Sequence, residues 1–266
     1  MKHLLIIGCG NMGGAMLAGW LAAGLEPSRF SILDPALESA PDGVTIYRDV
    51  EAAKDAGHDA VMLGFKPQQL GALGPGLQQL TGKGVVLTSL LAGITLAQLK
   101  NAFPGADAHV RVMPNLAARI GKSPIILAQS GLNEDARESV FAFFDHLGMA
   151  TWLEDEAKFD IVTALAGSGP GFVYRFIDAL AEAAVDLGID QDQATRLAIA
   201  TVDGASSLAS GAEVSPGKLA DQVASPGGMT REGMNVLDAD KALVHLLTDT
   251  LEATAKRGSE LSAGVD

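Results

Sequence analysis

The chain has 266 residues, 48% of them hydrophobic and 19% charged, so it can bury a sizeable core and is an ordered globular protein of one large domain or two. Its 19 Lys and Arg against 32 Asp and Glu leave a net charge of −13, which repels phosphodiester backbones and excludes nucleic acid as a natural partner. One cysteine, Cys9, allows no intrachain disulfide, and five scattered histidines show no ligand spacing, so no metal site is expected.

The opening MKHLLIIGCGNMGG lacks the long apolar region of a signal peptide, and no apolar run reaches the roughly 18–20 residues of a membrane span. A cytoplasmic chain with no membrane partner is expected. Short apolar runs at 3–8, 30–34, 44–47, 59–65, 84–89 and 109–114 read as strands, most of them nearly continuous Val/Ile/Leu as in strands covered on both faces. Helical segments at 12–24, 50–56, 67–80 and 95–103 alternate with them, and a strand, helix and strand at 124–128, 133–147 and 150–153 close this half. The alternation predicts an α/β fold with a Rossmann-like, doubly wound parallel sheet over 1–153. From 154 to 266 the strand signals stop, and helical periodicity over 172–188, 192–210, 216–224 and 239–262 predicts an all-α second half. The second of those helices is rich in small residues, which suits close helix packing.

The first strand runs straight into G-x-G-x-x-G, with Gly8 for the tight turn, Gly10 for close approach of a pyrophosphate and Gly13 for helix–strand packing. Asn11 and Met12 stand in the first turn of the helix, where free N–H groups and the dipole favour phosphate. Asp34 ends the second strand, about 20 residues past the last glycine, where a ribose diol is read. The competing reading is a packing turn with an unrelated surface acid. A carboxylate there favours NADH over NADPH, although Arg29 and Arg48 could reach in from neighbouring loops. Lys66 and Pro67, after the 59–65 strand, and Met113 and Asn115, after the 109–114 strand, lie at strand ends where such sheets bind ligands. Lys66 faces a phosphate or is a solvated helix-start lysine; Asn115 donates to the nicotinamide or substrate, or is an N-cap.

The helical half carries ALAGSGPGFVYRF (164–176) and LADQVASPGGMTREGMNVLD (219–238). With GCGNMG, KPQ and RVMPN, and over essentially the whole chain, these motifs resemble the pyrroline-5-carboxylate reductase family. The SPGG-x-T segment is the most specific of them. Departures are Leu116-Ala117 where Thr-Pro is common in the family, Gly171-Phe172 after Ser168-Gly169-Pro170, and Met229 at a variable position. The resemblance implies a nucleotide-binding half followed by a helical half that interlocks in a homodimer, with assembly into a larger homo-oligomer left open. It also implies reduction of a cyclic imine to L-proline with NADH or NADPH, the last step of proline synthesis.

The substrate so implied is a small ring with one carboxylate and one C=N bond. Free N–H groups at a helix N-terminus hold a carboxylate well. Gly227 and Gly228 allow close backbone approach, Met229 and Thr230 add N–H donors, and the resemblance places the Thr230 hydroxyl on the ring nitrogen as the catalytic contact. Thr230 has a plainer alternative as an N-cap. Ser168, Asp221, Val223 and Ser225 are secondary candidates for shaping the substrate site. Two rival functions fit the residues less well. A β-hydroxyacid dehydrogenase would need Lys and Asn where this chain has Val173 and Ile177, and a non-catalytic nucleotide sensor would have no use for a carboxylate nest in the helical half.

Overall fold

The computed structural model describes the backbone of residues 1–263 and the side chains of residues 1–260. Eight strands form one sheet: β1 (Leu4–Ile7), β2 (Phe30–Leu33), β3 (Thr45–Tyr47), β4 (Ala60–Leu63), β5 (Val86–Ser89), β6 (Ala108–Met113), β7 (Ser123–Ser130) and β8 (Gly148–Trp152). Their order is β3-β2-β1-β4-β5-β6-β7-β8. Strand order reverses at β1, which pairs in parallel with both β2 and β4, and ligands bind such sheets at the carboxyl ends beside that point.

β1, β2 and β4 are buried at every position, as their continuous hydrophobicity predicts, whereas the edge strand β3 has Thr45 exposed and Ile46 and Tyr47 half-buried. Leu4 and Ile6 join one core cluster with Trp20, Phe30 and Phe144, while Leu5 and Ile7 join another with Leu70, Leu77 and Phe103. Helix α1 (Asn11–Ala22) crosses the first face, and its Trp20 stacks on Phe30 at 5.4 Å and donates its indole N–H to the Phe143 carbonyl at 3.0 Å. One residue earlier on that helix, a Cβ added at Gly19 would lie 2.0 Å from the Ala118 carbonyl oxygen. The helix therefore meets the segment after β6 backbone to backbone.

The sheet is parallel, as expected, except at one strand. β7 runs antiparallel to β6, with Met113 opposite Ile126, and β8 is again parallel to β7. The reason is the connection. A parallel return needs a crossover of a dozen or more residues, and here only a short 3-10 turn at Leu116–Ile120, ended by Gly121 at φ 64°, separates the strands. Helix α5 (Glu134–Asp145) then supplies the crossover between β7 and β8.

Several helices are shorter than their periodicity suggests. α2 (Val50–Ala53) is a single turn, and the 67–80 segment keeps α-helix only over α3 (Leu70–Leu77), between 3-10 turns, with Pro75 inside it removing a backbone donor. α4 (Leu96–Ala102) opens on a capping box between Thr95 and Gln98.

The chain divides into two compact units, Met1–Ser168 with the chain from Ala253 onward, and Gly169–Glu252. The strand signals end near 153, but α6 (Phe159–Val162) and a π-helical turn at Thr163–Gly167 still belong to the first unit, where Phe159 and Ala166 pack on Ile126 and Met113. In the second unit lie α7 (Gly169–Asp186), α8 (Gln191–Ser210), α9 (Pro216–Val223), α10 (Met229–Asp238) and the start of α11 (Ala242–Ala263). The 239–262 helix begins only at Ala242, because Asp240 and Lys241 adopt φ of 49° and 56°. Between α7 and α8 the buried cluster is Ala181, Ala194 and Ala198, whereas Tyr174, Phe176, Leu187, Leu197 and Leu208 lie exposed. Among the described residues no helix is long and apolar enough to cross a membrane.

Candidate functional site

The glycine turn between β1 and α1 is built around Gly8, whose φ of +82° suits a residue without a Cβ. It sits against the end of β4: a Cβ at Gly8 would lie 3.0 Å from the Phe65 nitrogen, and one at Gly64 would lie 2.4 Å from the Gly8 carbonyl oxygen. Gly13 closes the turn from behind, its added Cβ only 3.2 Å from that same oxygen. Gly10 differs, because nothing lies within 4 Å of its added Cβ. α1 starts at Asn11 without a side-chain cap, so its first N–H groups face open space.

That space is a cavity of about 850 Å³, lined by Gly8, Gly10, Asn11, Met12, Asp34, Lys66, Pro67 and Met113. Eight of the ten expected cofactor residues thus meet in one cleft at the carboxyl ends of β1, β2 and β4. Gly13 supports the turn from beneath. A bare glycine approach, uncapped helix donors and an acid at the rim fit the pyrophosphate and ribose of a dinucleotide.

Asn115 has its side chain engaged within the protein. It is 5% exposed, its Oδ1 accepts the Ala117 N–H and its Nδ2 donates to the Ala166 carbonyl, both at 2.9 Å. The amide caps the 3-10 turn and pins the π-helical segment, so the N-cap alternative is the one the geometry realises. Lys66 is exposed at the rim, and its backbone N–H donates to Gln69 Oε1 at 3.1 Å.

Asp34 has both carboxylate oxygens engaged with backbone N–H groups, Oδ2 with Cys9 at 3.0 Å and Oδ1 with Ala36 at 2.9 Å. Each oxygen keeps a lone pair for a hydroxyl. Burial, and then the Asp34 charge, push the Cys9 thiol up to about 11. Arg29 turns away to the Met1 and Lys2 carbonyls, whereas Arg48 lines the cleft. Residues missed in the sequence include Phe65, Leu73 and Leu77 in the wall, whereas Arg48 at the rim is one of the two arginines expected to reach in. The strand-end position of Phe65 and the i, i+4 spacing of the two leucines on α3 were the signals available.

In the helical unit, α9 ends at Val223 and a tight turn follows, with the Gly228 N–H donating to the Ser225 carbonyl at 2.9 Å. Gly227 holds φ +69°, and a Cβ at Gly228 would lie 2.5 Å from Ser225 Oγ. Gly228 is the N-cap of α10, which has no side-chain cap, and the bond from the Glu232 N–H to the Gly228 carbonyl is its first. The N–H groups of Met229, Thr230 and Arg231 precede that bond, as the donors of an anion nest do. Thr230 is the second helical residue and exposed, so it is not the N-cap. Met229, Ser225 and Val223 are exposed around the same turn. Asp221, a candidate for shaping the site, instead pairs with Arg231 at 2.9 Å and ties α9 to α10. Ser168 ends the π-helical turn, its N–H bonded to the Thr163 carbonyl at 3.1 Å.

Comparisons with known proteins match these two regions separately. Residues 3–93 fit the family model described as NADP oxidoreductase, coenzyme F420-dependent, and residues 156–261 fit the one described as pyrroline-5-carboxylate reductase dimerisation. The pyrroline-5-carboxylate reductase of Pseudomonas aeruginosa is 31% identical, over 98% of this chain and 97% of its own length. That of Glycine max is 35% identical, over 96% and 94%. The solved structure of a pyrroline-5-carboxylate reductase from Coxiella burnetii superposes with a TM-score of 0.90 at 28% identity, covering 98% of both chains. With the glycine cleft, the glycine-led start of α10 and full-length likeness all in agreement, the chain belongs to the pyrroline-5-carboxylate reductase family.

Proposed function

We propose that this chain reduces 1-pyrroline-5-carboxylate to L-proline, as an NAD(P)H-dependent oxidoreductase acting on a cyclic imine. The observation that carries the reading is the start of α10, where a glycine turn presents three successive N–H donors with no side chain capping them. Such a nest suits one small carboxylate. Gly227 and Gly228 keep side chains out of the carboxylate's path, Met229 and Thr230 donate N–H groups, and the Thr230 hydroxyl bonds the ring nitrogen. Ser225 and Val223 shape the same turn.

Gly8, Gly10, Asn11, Met12, Lys66, Pro67 and Met113 hold the dinucleotide in the cleft of the first unit. A bound reduced nicotinamide supplies the hydride. The chain's own work is to bind and orient, since a cyclic imine that binds protonated needs no strong acid beside it. Asp34 at the ribose end favours NADH over NADPH.

We place the nucleotide-binding half at 1–153 and the dimerisation and substrate half from 154 onward. The match of 156–261 to a dimerisation family supports a homodimer, as do the exposed apolar side chains of α7 and α8. The dimer is the unit from which any larger homo-oligomer is built.

The test is direct. The purified chain is mixed with the imine and NADH or NADPH, and both cofactor oxidation and proline formation are followed. Proline formed in step with cofactor loss is the expected result. No oxidation of either cofactor overturns the proposal.

A further inference from the structure

The loop after β2, residues 34–38, forms the rim of the cleft beside the proposed ribose site. Its main-chain oxygens converge on one side chain. Arg48, just past β3, donates from Nη1 to the Asp34 carbonyl at 3.0 Å and to the Leu37 carbonyl, and from Nη2 to the Glu38 carbonyl at 3.4 Å. The Asp34 carboxylate faces elsewhere, its oxygens accepting the Cys9 and Ala36 N–H groups. The pair is thus joined through the backbone of Asp34.

A guanidinium has five N–H donors, and three are spent on this loop. An arginine near an acid of this kind is ordinarily read as the seat of the extra ribose phosphate of NADP. Here the side chain is already committed to the main chain. We propose that Arg48 is a positioning residue for dinucleotide recognition: it clamps residues 34–38 so that the Asp34 carboxylate is held in place before the ribose arrives. This rests on the reading that the cleft binds the dinucleotide, and it deepens that reading by naming what organises its acidic end.

The clamp works by geometry and not by charge. The planar fork reaches carbonyls on three residues, two from Nη1 and one from Nη2 at fixed angles, whereas a lysine has one nitrogen on a freely rotating stem, loses the Glu38 bond and does not hold the other two in a set direction. Without the fork, the ordering cost of the loop moves from folding to binding and appears as weaker affinity for either dinucleotide.

Arg48→Lys and Arg48→Ala test this, with KM for NADH and NADPH, KM for the imine, kcat and melting temperature measured for each. Both substitutions are expected to raise the two cofactor KM values together, by roughly 5- to 30-fold, from the loss of two or three partly water-replaced hydrogen bonds. Turnover at saturating cofactor and the imine KM should stay within about twofold, with little change in melting, and lysine should not rescue. Rescue by lysine overturns the clamp, as does a loss confined to NADPH, which would make Arg48 a phosphate contact. No change in either variant overturns it too. Equilibrium titration of the wild type with NADH and NADPH, without imine, separates the two levels of the claim. Binding of neither dinucleotide removes the cleft assignment and the clamp together, whereas a binding wild type with unaffected variants removes the clamp alone.

Discussion

The Asp34 carboxylate accepts the backbone N–H of Cys9 at 3.0 Å, so the acid that ends β2 is tied to the glycine turn that ends β1. One side chain therefore ties the glycine turn to the rim of the cleft, where the proposed ribose site lies. Asp34→Ser removes the carboxylate and its repulsion of a ribose phosphate. The expected outcome is a fall in kcat/KM for NADH and a shift of the NADH to NADPH ratio by about tenfold, or about 1.4 kcal/mol. Steady-state kinetics with both cofactors check it. A wild type that already prefers NADPH by tenfold or more would contradict the role given to Asp34.

Burial first, and the Asp34 charge second, should leave Cys9 slow to react. The thiol is buried and stands beside a carboxylate, both of which disfavour the thiolate and push the thiol up to about 11. At pH 8 the thiolate fraction is then on the order of 0.1%, so iodoacetamide should label the folded chain far more slowly than the urea-unfolded chain. The sign is that of a raised group. The stability from the neutral thiol is complete below the ordinary thiol range and is lost as pH climbs towards 11. Equal labelling rates in the two states would refute the burial argument.

Gly19 lies inside a helix, where alanine is normally better by roughly 0.5–1 kcal/mol. Its added Cβ would meet the Ala118 carbonyl oxygen at 2.0 Å and a Leu147 methyl at 2.8 Å. Gly19→Ala should therefore destabilise the chain by about 1–3 kcal/mol, as overpacking does. Thermal and urea unfolding give the value. An alanine variant as stable as the wild type would mean that α1 can move away without cost.

At α10 the N-cap is Gly228 and not Thr230, so Thr230→Ala removes a hydroxyl without removing a cap. If that hydroxyl bonds the ring nitrogen, imine kcat/KM should fall by roughly 10- to 150-fold, the kinetic equivalent of about 1.5–3 kcal/mol. Melting temperature and NADH affinity should barely change. Gly228→Val should be worse, since its side chain enters the Ser225 hydroxyl's space and closes the nest. Normal turnover in Thr230→Ala would remove the threonine from the chemistry.

The alanine-built cluster of α7 and α8 cannot offset the exposure of Tyr174, Phe176, Leu197 and Leu208 in a lone chain. Each such side chain gains about 1.5–3 kcal/mol when fully buried, so an obligate isologous homodimer is expected. Sedimentation should give a dimer for the wild type, and Phe176→Glu with Leu197→Glu should shift it towards monomer with loss of activity. A stable, active wild-type monomer would rule the dimer out as the working form.

Strand positions, the glycine turn, Asp34 and the SPGG turn were legible in the sequence because each is a local signal. Continuous Val/Ile/Leu marks a strand covered on both faces, and glycine marks backbone that must turn tightly or be approached closely. Distant partners were not legible. The antiparallel course of β7 follows from the brevity of one connection, and no residue in β7 itself announces it. Asn115 looked as suited to a ligand as to a cap until the Ala166 carbonyl, 51 residues away, took its amide. Arg48 became the anchor of residues 34–38 only because β3 lies beside β2 in the sheet. Composition and spacing state which groups a segment can offer. Strand order and burial state which groups meet, because a buried donor or acceptor must find its partner among whatever the packing brings near.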